Sequence, residues 1–284
     1  MSLTVEAAPD GIADRMTGLA GRGARSWWAV LALGTAVIII APVFAPYGPT
    51  QAVAPPFLPP GARFLFGTDD VGHDVLSRVL FGMRSTWIAA LIVISIGVLI
   101  GGAIGTVAGL AVGWLDNLLM RVTDGFLALP GPVLAIAITA SIGPSFEHTL
   151  IAISIVWWPY YARIVRGEVR ALAARPFVEA ARHGSRISVW RLAVRHVLPG
   201  AAPAVIVAAS LDVGNLILML AGLSFLGLGA PAPAPELGGM TAQGLSYLLT
   251  SWWIPIMPGL AVLALALGSN FLGDGIRNAM GGRG

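Results

Sequence analysis

Four histidines, His73, His148, His183 and His196, are scattered along the chain, and none stands in the HExxH or HxxxH spacing that sets two imidazoles on one helix face to hold a metal. There is no cysteine, which removes disulfides, thiolate metal sites and a cysteine nucleophile. A serine nucleophile is carried on GxSxG, and "GLSFLG" around Ser224 misses that spacing by one position. All 17 basic residues are arginine, so the lysine of GxxxxGK[ST] that reaches nucleotide phosphates is missing. The chain is therefore not expected to be an enzyme, to hold a metal or to bind ATP by a P-loop. What is left are charges in unusual places: Asp212, with Asn215 nearby, inside an apolar run, Asp124 at the edge of another, and a cluster of arginines in "FVEAARHGSRISVWRLAVRHVLP", residues 177–199.

The elements that must position these charges are apolar. Of the 284 residues, 56% are hydrophobic and 11% charged, and the mean hydropathy of +0.82 is that of an all-α polytopic membrane protein. Segments long enough for a bilayer core of about 30 Å lie near 27–45, 86–114, 125–142, 149–164, 200–226 and 253–272, predicting six transmembrane helices. The first follows Arg15, Arg22 and Arg25 but is longer than a signal-peptide core and lacks a small-residue cleavage site, so an uncleaved span is expected. With a cytoplasmic N-terminus, six spans put Arg121, the cluster from Arg163 to Arg195, Arg277 and Arg283 on the cytoplasmic side. Only Arg63, Arg78 and Arg84 are then outside, as the positive-inside rule requires.

Along the second span Gly97, Gly101, Gly105, Gly109 and Gly113 recur every fourth residue, a face on which helix backbones can approach closely. Packing within the chain and a subunit interface both fit that face. Pro130, Pro132 and Pro159 should kink or break the third and fourth spans. The pairs Trp27–Trp28, Trp157–Trp158 and Trp252–Trp253 suggest interfacial belts. Asp69, Asp70 and Asp74 read as a solvated outer loop, and "APAPAPE", residues 230–236, as a stiff extended linker.

In the arginine-rich insert, Pro176 suits a first helical turn, Gly184–Ser185 breaks the helix, and a second helix carries Ile187, Trp190, Val194 and Val197 on one stripe. Such a basic amphipathic unit can lie on anionic lipid. It can equally dock on a protein.

The wording of this insert, "EAA" followed by a glycine and "HVLP", resembles the EAA loop of permease subunits in bacterial ABC importers, although Gly184 stands one residue early after Glu179. "FGTDDVGHDVLSRVLFGMRST" (66–86) resembles the segment before the second span in the C-type permeases of dipeptide, oligopeptide and nickel importers, with His73 in place of an arginine. "LSFLGLGAPAPAPELGGM" (223–240) and "NFLGDGIRNAM" (270–280) are similar to that subfamily's later motifs, with Leu237 where a tryptophan is usual and Leu220 where an acid is common.

The resemblance implies a type I ABC importer permease fold with a cytoplasmic coupling helix. Residues 1–26 would be a cytoplasmic segment, 27–45 the first transmembrane helix and 46–85 an extracytoplasmic loop with an interfacial elbow helix. Residues 86–280 would form a five-helix core including the EAA loop 163–199, and 281–284 a tail. Phe177, Glu179, Ala180, Ala181, Arg182, Gly184 and Ser185 would couple to the ATPase, and Asp212 and Asn215 would line the translocation path for peptides, dipeptides or short oligopeptides. An ion pair or cap in the protein interior is the other reading of Asp212. The implied partners are a homologous second permease, two ATPase domains or subunits that hold the ATP and Mg, an extracytoplasmic substrate-binding protein and the lipid of a bacterial inner membrane. The rival is an ATP-independent carrier or channel whose basic insert binds lipid.

Overall fold

The structure, a computed structural model, describes residues 32–111, 113–174 and 198–281. Eight helices are labelled here: α1 Ala32–Phe44, α2 Val75–Leu110, α3 Trp114–Leu127, α4 Gly131–Ile142, α5 Phe146–Ala173, α6 Leu198–Phe225, α7 Leu237–Gly244 and α8 Trp253–Gly281. The last turn of α1 is a 3-10 turn. Pairing between extended segments is limited, among the described residues, to two isolated bridges.

α2 starts where Asp74 caps it, its carboxylate accepting from the backbone N–H of Ser77 at 2.8 Å and from the Ser77 hydroxyl at 2.6 Å. No proline interrupts it, so its 36 residues run about 54 Å at 1.5 Å per residue, well beyond the hydrocarbon core. The expected elbow helix is thus not separate. It is the first turns of α2, whose Val75, Ser77, Arg78, Val79 and Gly82 are buried by the chain before the helix and by α7.

The expected third span is divided. α3 and α4 meet at 86°, because Pro130 and Pro132 withhold the N–H groups that would continue the ladder. Pro159, in contrast, sits inside an uninterrupted α5. That helix starts on a Ser145 cap and continues past the expected end at residue 164 to Ala173, carrying Arg163, Arg166 and Arg170 with it.

Among the described residues three helices, α2, α6 and α8, are long and apolar enough to span a bilayer alone, and the bent α3–α4 pair makes a fourth if it is one span. The count of six expected spans is thus not reached by length and composition among the described residues. α5 is too polar at its two ends, with Glu147 and His148 at one and four charged residues from Arg163 to Arg170 at the other. α1 is a shorter apolar helix in its described part.

The largest contact between helices is the seam of α2 on α5. It is made by the glycine face: a methyl at Gly101 would lie 2.4 Å from the Trp158 carbonyl oxygen, and one at Gly105 2.4 Å from that of Ala162. Gly97 and Gly109 face Tyr161 and Val169 in the same row. The stripe therefore packs within the chain, except Gly113, which lies beyond the helix with open space around it. α6 and α8 meet similarly, Gly273 of α8 approaching the Ser210 carbonyl of α6 and Gly214 of α6 the Asn270 side chain of α8.

Close approach without a side chain makes a direct prediction. Gly101→Ala and Gly105→Ala should each destabilise the detergent-solubilised protein by about 1–3 kcal/mol through overpacking. Gly102→Ala, with nothing within 4 Å of the added methyl, should leave the melting temperature unchanged or slightly raised. Equal melting temperatures for the three variants would contradict the seam.

Candidate functional site

The seam fixes which residues of α5 face α6 and α3. Toward α6 point Trp157 and Tyr161, one turn apart, and both reach Asp212. The Trp157 indole N–H and the Tyr161 hydroxyl, at 3.0 Å, donate to the same carboxylate oxygen, Oδ2. The Asn215 amide lies 3.5 Å from Oδ1. Asp212 is 6% exposed. Its carboxylate is thus spent on joining α6 to α5, with neutral donors rather than a cation. An unpartnered charge at such depth is expensive, and two aromatic donors reduce that cost while burying their own rings. Trp157 and Trp158 are accordingly parts of the interior contact, not an interfacial belt: Trp158 is buried, edge-on to Phe126 of α3 at 5.5 Å. Trp253 is buried too, donating to the Thr68 carbonyl at 3.1 Å, while Trp252 is exposed.

Toward α3 point Arg166 and Arg170, again one turn apart. Arg166 grips Asp116 with two bonds, Nε to Oδ1 at 2.6 Å and Nη2 to Oδ2 at 2.9 Å, and Arg170 donates to Oδ2 as well. Asp116 is 3% exposed, in the first turn of α3, where the helix dipole also favours a negative charge. The neighbouring Arg163–Asp124 pair, at 2.5 Å, is more than half exposed on both sides and stabilises by about 0–1 kcal/mol at most.

The segment expected to couple to an ATPase, with Phe177, Glu179, Ala180, Ala181, Arg182, Gly184 and Ser185, lies outside the described residues, as do His183 and His196. Its two roots are described. Gly200, at the start of α6, lies against Leu172 at the end of α5: a methyl there would be 2.9 Å from Leu172 Cδ1. Val165, Val169, Leu172 and Ala201 form a small apolar cluster around this junction. The described helix ends on either side of residues 175–197 therefore lie together.

The acidic loop before α2 is not solvated. Asp69, His73 and Asp74 are each under 9% exposed, and only Asp70 is exposed. Asp69 Oδ1 accepts from the backbone N–H of Val71 and His73, and its Oδ2 lies 2.8 Å from His73 Nδ1. The same Nδ1 lies 3.0 Å from Arg78 Nη1, so the ring nitrogen stands between the carboxylate and the guanidinium. Arg78 lies over this pair, its Nε 3.6 Å from Asp69 and its Nη1 donating to the Pro49 carbonyl at 3.2 Å. His73 thus helps to satisfy a buried acid beside an existing arginine, which accounts for a histidine where the related motif has a second arginine.

The Pro-rich linker is not extended either. It turns at Pro231–Ala234, around a cis Ala232–Pro233 bond, and the Ala234 N–H donates to the Pro231 carbonyl at 3.2 Å. It ends at Glu236, which caps α7 through the N–H groups of Gly238 and Gly239. Burial pushes the Glu236 carboxyl above its usual range, against the opposing pull of the Gly239 N–H. Leu237 then packs on Gly82 of α2, a methyl there being 2.8 Å from its Cδ2, so two motifs read separately in the sequence touch. Ser224 is buried beside Glu236. His148 is committed elsewhere, its Nδ1–H donating to the Gly143 carbonyl at 2.8 Å.

The Asp212 junction predicts unequal effects from two substitutions. Asp212→Leu leaves the Trp157 and Tyr161 donors unpaired and should cost about 2–6 kcal/mol, at roughly 1–3 per buried donor. Asp212→Asn keeps an acceptor oxygen and should cost less than half as much. Thermal unfolding in detergent measures both, and a Leu variant as stable as wild type would rule the junction out as a structural tie.

Comparison with known proteins places this arrangement. The family described as "Binding-protein-dependent transport system inner membrane component" matches residues 101–282. The chain is 40% identical over 252 residues to the "Probable D,D-dipeptide transport system permease protein DdpC" of Escherichia coli, covering 88% of this chain and 84% of that protein. It is 39% identical over 249 residues to the "Di/tripeptide transport system permease protein DppC" of Pseudomonas aeruginosa, covering 85% and 82%. Among solved structures, a chain of the MetNI methionine ABC transporter in an inward-facing conformation superposes with a TM-score of 0.53 at 20% identity, covering 71% of this chain and 95% of that one. At that identity the likeness concerns the fold, which is that of an ABC importer permease. The seven helices α2–α8 that overlap the family's residues and the buried polar ties between them thus have one explanation: the chain belongs to the family of membrane-spanning permease components of binding-protein-dependent transport systems.

Proposed function

We infer that this permease forms half of the pathway by which an ATP-driven importer takes up peptides, dipeptides or short oligopeptides. The substrate class is supported by the relatives above, whose names are those of dipeptide and di/tripeptide systems. A second, homologous permease completes the pathway, two ATPase domains or subunits holding ATP and Mg supply the energy, and an extracytoplasmic binding protein delivers the substrate. The N-terminus is cytoplasmic, an orientation supported by the arginine distribution.

The observation that carries the coupling reading is the root of the insert. Leu172 and Gly200 hold its two ends together, so a force on residues 175–197 acts on α5 and α6 at once. α5 is continuous from there to Phe146 and is tied by its backbone to α2 and by Trp157 and Tyr161 to α6. ATP binding in the partners would move this unit between inward-facing and outward-facing states that ligands on the two sides bias. Glu179, Ala180, Ala181 and Gly184, with Phe177, Arg182 and Ser185 around them, form the docking surface. Asp212 and Asn215 act as the tie that keeps α6 moving with α5, and through it shape the path between them.

The test is uptake in liposomes holding the whole complex with its binding protein. ATP-dependent uptake of dipeptides is expected, and Glu179→Arg or Gly184→Pro should leave insertion intact while transport per ATP hydrolysed falls about tenfold or more, within the usual range of coupling energies. Uptake that persists without ATP or without an attached ATPase would instead support a carrier whose insert binds lipid.

A further inference from the structure

Asp116 is used by none of the motifs above and is among the most enclosed charges described. Two arginines of α5 converge on it from successive turns, Arg166 with a two-pronged grip and Arg170 with a third bond. The side chain of Asp116 is 5% exposed, that of Arg166 25% and that of Arg170 46%, so the acid and the two-pronged bond are the shielded part. Shielding from water strengthens such a grip, and removal of one partner leaves the others uncompensated. The position of the triad matters as much as its strength. Arg166 and Arg170 lie in the last two turns of α5, immediately before residue 175, where the insert begins. Opposite them, α2 holds the same stretch by backbone contact, Gly105 and Gly109 lying against Ala162, Val165, Arg166 and Val169.

α3 leads through the 86° bend into α4. Farther along α5, α3 and α4 touch it through apolar groups, Phe126 on Trp158 and Gly131 near Val156. Apolar contacts slide and re-form at little cost, whereas a bidentate arginine–carboxylate bond is directional. A second directional link, Arg163 to Asp124, is more than half exposed on both sides, so at the end of α5 that receives force from the insert the enclosed directional link to α3 is the Asp116 triad.

We propose that Asp116 is a positioning residue that makes α3 and α4 follow α5 when the partner ATPases move the insert. It touches neither substrate nor nucleotide. The inference rests on the ATP-driven reading given above and assigns the transmission within it.

The experiment uses the complete complex in liposomes, reading peptide transported per ATP hydrolysed. Asp116→Asn, which keeps size but loses the charge, should assemble and hydrolyse ATP while this ratio falls about fivefold or more. A second variant covers misfolding: Asp116→Cys with Arg166→Cys, in a chain that has no other cysteine, joined by a reducible thiol cross-linker matched to the reach of the lost arginine. The cross-linked form should transport at the wild-type ratio and lose coupling when the linker is reduced, within the same folded molecule. A wild-type ratio for assembled Asp116→Asn, or equal ratios before and after reduction of the linker, would overturn the proposal. A wild-type complex without ATP-dependent uptake would overturn the function itself, and this inference with it.

Discussion

The structure depends on two backbones touching. In a bilayer the hydrophobic effect does not press helices together, so association rests on close van der Waals packing and on polar contacts between them. Gly97, Gly101, Gly105 and Gly109 remove every side chain from one side of α2 over several turns. α5 enters that groove to within reach of its own carbonyls. Once that happens, the rotation and height of α5 are fixed, and every other side chain on it has a determined direction.

Those directions dispose of the charges. One turn pair, Trp157 and Tyr161, meets Asp212 on α6; another, Arg166 and Arg170, meets Asp116 on α3. Each acid would be costly alone. Neither is alone, and each tie joins α5 to a different helix. α5 is thereby the common member of three joints made in three ways: by bare backbone, by aromatic donors and by guanidinium. A helix so connected, ending beside Gly200 at the start of α6, joins α2, α3 and α6 into one unit, which is the premise of the coupling proposed above.

Local patterns were readable where one helix or one residue type decides. The glycine period named the packing face, and Pro130 with Pro132 named the break between α3 and α4. Hydropathy could not place the ends of α2 and α5, because the segments that extend them are polar enough to resemble loops and are covered by other parts of the chain. Asp69 and Asp74 looked solvated for the same reason: burial by His73, Arg78 and backbone N–H groups depends on residues the local pattern does not bring together. Asp116 carries no local sequence signal, since its partners are 50 and 54 positions away. The available signal was the i, i+4 spacing of Arg166 and Arg170, which reads as positive-inside bias until a facing acid is known. Asp212 was visible as an acid in an apolar run, but its aromatic partners were not, since Trp157 and Tyr161 are equally plausible at an interface. The coupling residues from Phe177 to Ser185 rest on wording alone, as they lie outside the described residues.

The most direct measurement of the account is the distance between α2 and α5 through the transport cycle. The chain has no cysteine, so spin labels at Leu99 of α2 and Ile151 of α5, both exposed in this chain, can be placed with no background from this chain. Pulsed electron paramagnetic resonance on the assembled complex, without nucleotide and with ATP bound, should give distances equal to within about 2 Å, the scale of small helix adjustments, because the glycine seam moves as one body. A change larger than that on ATP binding would mean that α2 and α5 separate during transport, and the seam could not be the constraint on which the rest depends.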